Sequence, residues 1–307
     1  MEGTLLTVEG RAVLRFERKL AHPPEKVWRA ITEPDELAHW FPATIEGERR
    51  RGAPLRFVHP GGEGPTLEGE VKEFDPPRLF AYTWGESVLR LELRPAEKGC
   101  TLVFTQTFDE RPSAASYAVG WESCLHALEQ ALGGEPVDDI APENYSERHE
   151  AYVDEFGLLG GAVEDAPDGW TVRFERLFPH PVDKVWAALS ADDVTVGGEA
   201  PLQSTNGFVP AGQVTAIEPP RLLEYAWQSD GEEAGRVRWE LSEGPGGALV
   251  ALTQTLPSAP AGRRPTALAA WHTHLELLAE QLMGRTVCPW PEDRTEELER
   301  HYAALMS

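Results

Sequence analysis

Two glutamines stand on strand faces that are otherwise apolar. In Leu102-Phe104-Gln106-Phe108, and again in Val250-Leu252-Gln254-Leu256, alternation puts the amide on the face that packs inward. A buried amide without a partner costs about 1–3 kcal/mol, so each must meet a ligand, a water or a protein group. The plain alternative is a glutamine at a strand end bonded to a neighbouring turn. Arg18 and Arg176 break the faces Leu14-Phe16-Arg18-Leu20 and Val172-Phe174-Arg176-Phe178 in the same way. An inward guanidinium must be paired or must snorkel. It suits a carboxylate ligand, and suits better a structural ion pair with a helix carboxylate. Phe80, Tyr82 and Trp84 share one strand face, matched by Leu223, Tyr225 and Trp227. A buried phenol or indole seeks a partner and can fix a flat ligand, although rows of aromatics also make ordinary core.

At helical spacing, Tyr117, Trp121, Cys124, Leu125 and Leu128 form one stripe, and a later equivalent replaces Cys124 with His274. With no basic neighbour in sight, the thiol is expected to behave as a small hydrophobe. His274 reads as an acid or base at a cavity edge, or as a histidine satisfied in the core. His272 and His274 are two apart and point to opposite sides of a helix. His22 and His180 precede prolines, and no carboxylate or cysteine spacing completes a site. No metal or cofactor is therefore expected. G-x-S-x-G, a helix-opening G-x-G-x-x-G, a P-loop and H-E-x-x-H are all missing. Arg49-Arg50-Arg51, beside Glu46 and Glu48, reads as a solvated turn. Gly61-Gly62-Glu63-Gly64-Pro65 reads as a hairpin turn. Asp138-Asp139, Asp192-Asp193 and Glu232-Glu233 read as solvated charge.

The elements that carry these residues occur twice. Arg15-Phe16-Glu17-Arg18, His22-Pro23 and Lys26-Val27-Trp28 return as Arg173-Phe174-Glu175-Arg176, His180-Pro181 and Lys184-Val185-Trp186, at an offset of 158. Pro76-Pro77-Arg78-Leu79 with Tyr82 and Trp84 returns at 143, Thr105-Gln106-Thr107 at 148, and Trp121 with Leu125, Leu128 and Leu132 at 150. Four anchors in one order define a tandem duplication. The fall from 158 to 143 makes the second copy 15 residues shorter there. It lacks the equivalent of Glu33–Phe41 and part of the hairpin region that follows. The remnant, 191–210, is rich in Gly, Thr, Asp and Asn. Each copy reads as a strand (about 12–20 in the first), a short helix opened by Pro24, a second opened by Pro34, four to six strands, and a long helix from about Pro112 to Leu132. Charged helical tails are expected at about 143–156 and 292–305. The order is α+β. The expected divisions are 1–135 for the fuller copy, 136–167 for linker and tail, 168–285 for the shortened copy, and 286–307 for the last tail.

Composition narrows the partners. The 307 residues include 41% hydrophobic, enough to bury a core. Lys and Arg number 28 against 51 Asp and Glu, a net charge of −23, which repels phosphates and anionic lipid. Nucleic-acid binding and membrane docking are not expected. Cys100, Cys124 and Cys288 form no C-x-x-C and argue against a disulfide framework. With no signal peptide visible in Met1–Leu20 and no long apolar run, a cytoplasmic location is expected.

Both copies resemble the activator of heat-shock protein 90 ATPase homologue-like domains, of the START or polyketide-cyclase-like helix-grip superfamily. The resemblance rests on Pro23-Pro24-Glu25-Lys26-Val27-Trp28, on Glu33-Pro34-Asp35-Glu36-Leu37 running to Trp40-Phe41, and on Gly69-Glu70-Val71 before Asp75-Pro76-Pro77-Arg78-Leu79. Tyr82-Thr83-Trp84 and Gly120-Trp121 complete it. It implies an antiparallel sheet gripping the long helix, with an apolar cavity between them. The leading expectation is a non-enzymatic binding protein for a small flat or lipid-like apolar molecule. The site would lie mainly in copy one, lined by Trp40, Phe41, Phe80, Tyr82, Trp84, Gln106, Tyr117 and Trp121, with Arg18 nearby. A polyketide cyclase or aromatase is the enzymatic alternative. A chaperone partner or an interaction module is the third reading.

Overall fold

The structure, a computed structural model, describes residues 3–59, 66–137, 144–190, 194–229, 231–257, 263–285 and 289–306. The Gly61–Pro65 turn, Asp138-Asp139, Asp192-Asp193 and Cys288 lie outside these residues. The chain divides into two compact units, Met1–Tyr152 and Val153–Ser307.

In the first unit, β1 (Thr4–Val8) and β2 (Arg11–Leu20) form a hairpin, so the N-terminal region holds two strands where the sequence reads as one. Glu9 and Gly10 both take positive φ at the turn, which suits a two-residue hairpin loop. The helices α1 (Pro24–Thr32) and α2 (Pro34–Leu37) follow, each opened by proline. Then come β3 (Thr44–Glu46), β4 (Pro54–Val58), β5 (Leu67–Asp75), β6 (Leu79–Trp84), β7 (Ser87–Ala96) and β8 (Gly99–Phe108). The long helix α3 (Ala114–Gly133) and the tail helix α4 (Tyr145–Glu155) end the series. The eight strands form one antiparallel sheet in the order β1-β2-β8-β7-β6-β5-β4-β3. Alternation predicts the faces correctly: Leu14, Phe16, Leu102, Phe104 and Phe108 are all buried, and so is Gln106.

The second unit repeats the plan with fewer strands. It runs β9 (Ala162–Ala166), β10 (Gly169–Phe178), α5 (Val182–Leu189), β11 (Ala211–Glu218), β12 (Leu222–Ser229), β13 (Glu232–Gly244), β14 (Gly247–Pro257), α6 (Arg263–Leu282) and α7 (Glu292–Leu305). Its six-stranded sheet has the order β11-β12-β13-β14-β10-β9, and among the described residues no strand corresponds to β3 or β4.

The tails belong to the repeat. Tyr152 on α4 accepts a hydrogen bond from the Gly3 backbone N–H at 3.4 Å, and Tyr302 on α7 accepts one from Gly161 at 3.1 Å. Each of these glycines lies over a phenylalanine, Phe16 or Phe174; a Cβ would sit 2.8 Å and 2.3 Å from the rings. Only glycine lets the chain pass so close. The α7 tail is tied to α6 by the Arg294–Glu276 ion pair at 2.7 Å and by Thr273–Thr295 at 3.1 Å.

Candidate functional site

The residues that could form a site in the first unit are placed by four elements: the turn after α2, strand β6, strand β8 and helix α3. After α2 the chain tightens so that Trp40 and Phe41 are buried, and the Trp40 indole donates to the Ala30 carbonyl at 2.9 Å. Phe41 then lies between Trp40 (ring centroids 5.5 Å), Trp84 (5.4 Å) and Trp121 (5.8 Å). Trp84 and Trp121 meet edge-on at 5.8 Å. Phe80 and Tyr82 continue the row at 4.6 Å, and Phe57 bridges Tyr82 and Trp84 at 5.8 Å from each. Phe41, Phe80, Tyr82, Trp84 and Trp121 thus form one continuous aromatic cluster, with ring spacings typical of favourable edge and offset contacts. The rings pack on one another, so an occupant of this interior must displace one of them, and Phe41 stands on the short α2 connection.

Gln106 meets the helix. Its Oε1 accepts from the Trp121 indole at 2.6 Å, and its amide donates to Ser87 Oγ at 3.1 Å. In the second unit Gln254 accepts from Trp271 at 2.7 Å. The strand-end turn expected as the plain alternative is therefore replaced by a sheet-to-helix bond in both copies. Arg18 pairs with Glu129 of α3 at 3.2 Å and lies over the Phe16 ring, the structural ion pair favoured by the sequence. In the second unit Ala279 stands at the position matching Glu129, and Arg176 donates to the Leu275 carbonyl at 2.8 Å. Tyr117 packs edge-on to Phe108 at 4.9 Å, and burial, with the Glu110 carboxylate, raises its hydroxyl pKa. Burial likewise pushes the Cys124 thiol up to about 12, the inert thiol expected of that position.

One buried indole N–H of the cluster has no partner. Among the described residues the buried Trp84 Nε1 makes no hydrogen bond. Its counterpart Trp227 donates to the Thr255 carbonyl at 2.8 Å.

In the second unit a piece of the chain itself bonds the matching aromatic side chains. In the remnant of the shortened region, a single 3-10 turn at Leu202–Ser204 buries Ser204 completely. The Ser204 carbonyl accepts from Tyr225 Oη at 2.7 Å and from the Trp239 indole at 3.2 Å. Asn206 secures the return of the chain by accepting the Phe208 and Val209 N–H groups at 3.0 Å each. His274, packed at an angle against Trp239 and Trp271 at 5.5 Å, bonds to the backbone of Gln203 and Thr205. Burial lowers its pKa to about 4, although both backbone bonds favour the proton. His274 is thus a core histidine engaged by this plug.

Sequence reasoning missed Phe57, the plug at 202–206 and Arg49. Leu55 and Phe57 alternate with Arg56 and signal a half-buried strand. The plug, Leu202-Gln203-Ser204-Thr205-Asn206, shows no apolar periodicity and gives no such signal. Arg49 is half-buried, and its guanidinium donates to the carbonyls of Thr32, Gly47 and Ile45 at 3.3, 2.8 and 3.1 Å. The solvated turn expected there is a structural clamp at this residue, because each N–H faces a carbonyl the turn leaves open.

Two antiparallel sheets, each backed by a long helix, define an α+β protein of two tandem helix-grip domains. The chain belongs to the activator of Hsp90 ATPase homolog 1-like protein family, whose family model matches residues 21–133 and again residues 179–283. Solved structures similar to it each span about one copy. A Mesorhizobium loti protein is 27% identical, covers 40% of this chain and 97% of its own, and has a TM-score of 0.37. A conserved protein of unknown function from Enterococcus faecalis is 22% identical, covers 50% and 90%, and scores 0.43. CalU16 from Micromonospora echinospora is 25% identical, covers 50% and 96%, and scores 0.41. No curated protein sequence matches the chain. No helix among the described residues is long and apolar enough to cross a membrane.

Proposed function

We propose that the first unit binds a small, flat, apolar molecule bearing a hydrogen-bond acceptor, and that the second unit is closed by its own chain. The observation that carries this reading is the Trp84 indole N–H, buried without a partner where Trp227 has one. An orphaned buried donor costs about 1–3 kcal/mol, a cost that a ligand acceptor would remove. The surrounding rings supply the apolar surface such a ligand needs, and Phe41, on the short α2 connection, is the ring to move aside. In the second unit the buried Ser204 supplies a carbonyl that Tyr225 and Trp239 bond, beside His274.

The two polar side chains with most claim to chemistry, Gln106 and Arg18, are engaged by Trp121 with Ser87 and by Glu129. That supports binding over the cyclase or aromatase alternative, which needs a polar group free to act on a carbonyl. Family membership keeps a co-chaperone role as a second reading, to be met by co-purification with an Hsp90-type chaperone. The test of binding is native mass spectrometry of the full chain isolated from its natural host. One retained small molecule, lost in Trp84→Phe but kept in Trp227→Phe, is expected. A bare chain mass would contradict the reading.

A further inference from the structure

A separate cleft of about 440 Å³ opens on the first unit, between the α1–α2 junction and the β3 turn. It shares no residue with the Phe41–Trp84–Trp121 cluster. Its wall is aromatic: Trp28 and Phe74, both partly exposed, meet at 5.5 Å. Two carboxylates stand at its rim. Glu46 is paired with Arg56 at 3.1 Å, whereas Glu33 has no ion-pair partner among the described residues. The one guanidinium in the lining, Arg49, is bound to three backbone carbonyls, and burial lowers its pKa, against the raising fields of Tyr82 and Glu33. Arg49 therefore braces the wall, and its N–H donors are taken up by backbone carbonyls rather than turned toward the cleft. An aromatic face beside a free carboxylate is the chemistry that holds an organic cation. The duplication supplies an internal control. The second unit keeps Trp186, but Ile217 replaces Phe74, and the stretch matching Glu33 is among the residues it lacks.

The geometry points to this cleft as a binding site for a small organic ammonium or guanidinium group, seated on Trp28 and Phe74 with its charge toward Glu33. It stands independently of the apolar site. The probe is choline, set against 3,3-dimethyl-1-butanol, its neutral isostere, in titrations of the full chain followed by the indole N–H resonances. The Trp28 resonance, assigned with Trp28→Phe, is expected to shift saturably with choline while Trp186 stays still. The isostere should bind about fivefold or more weakly, and Glu33→Gln should weaken choline by a similar factor, as expected for a partly exposed cation site. Glu33 is exposed, so its replacement leaves the fold intact. Equal binding of the isostere, an unchanged affinity in Glu33→Gln, or a Trp28 resonance that does not move would overturn the assignment.

Discussion

Trp121 donates its indole N–H to Gln106 Oε1 at 2.6 Å, joining the long helix of the first unit to the middle of its sheet. The same bond recurs between Trp271 and Gln254 at 2.7 Å. Each glutamine is the one polar residue on its inward face, and each indole N–H would otherwise be buried without an acceptor. Gln106→Leu should therefore destabilise the first unit by about 1–3 kcal/mol, because Trp121 is left unsatisfied. Adding Trp121→Phe should recover part of that loss. Denaturant unfolding of the two variants measures both effects.

Arg18 and Glu129 make an ion pair whose carboxylate side is 40% exposed. Solvent screening limits such a pair, and Glu129→Gln should cost no more than about 1 kcal/mol. Arg18→Met removes the buried charge along with its partner's contact and should also be mild, since replacing a buried ion by an apolar chain is often neutral. Neither change should alter ligand retention. A loss of ligand in Arg18→Met would give the guanidinium a binding role.

Acid should loosen the second unit first. The folded His274 pKa is about 4 against an ordinary 6.5, so the folded state favours the neutral ring. Its contribution is complete above pH 6.5, falls as the pH drops, and is gone below about pH 4. The shift corresponds to about 3 kcal/mol. In His274→Phe the stability of the second unit should be flatter between pH 6.5 and 4. Circular dichroism melts of the two proteins across that range give the comparison.

Cysteine reactivity separates buried from functional thiols. Burial raises Cys124 to about 12 and also raises Cys100, with Glu25 adding to the effect. Iodoacetamide at pH 8 should leave both unmodified in the native protein and label both after unfolding, as peptide mass mapping would show. Rapid native labelling of Cys124 would mean that the helix face opens to solvent.

The repeat and the fold were legible because the residues that mark them are the ones packing constrains. Trp121, Leu125 and Leu128 recur with fixed spacing since each faces the sheet, and Gln106 is conspicuous as an amide among apolar neighbours. Arg18 was legible as an inward charge, and so was its need for a helix carboxylate. Its divergence from Arg176 follows from the single exchange of Glu129 for Ala279. The plug was not legible. Tyr225, Trp239 and His274 converge on backbone atoms of residues 203–205, and a carbonyl has no side-chain signature. Arg49 was hidden for the same reason, since its three acceptors are all backbone. Which indole lacks an acceptor is likewise a tertiary fact: Trp84 and Trp227 hold matching places in the repeat, but Trp227 lies opposite Gly235, where the Thr255 carbonyl is within reach.

The asymmetry between those two indoles is the central claim, and nitrogen-resolved spectra of the tryptophan N–H groups test it most directly. The full chain would be titrated with 1-acetonaphthone, a flat aromatic ketone, with Trp84→Phe and Trp227→Phe providing the assignments. Saturation at one equivalent, a shift of the Trp84 N–H into the hydrogen-bonded range, and no change at Trp227 are expected. A Trp227 shift equal to that of Trp84, or a Trp84 N–H unmoved at saturating ketone, would contradict that claim.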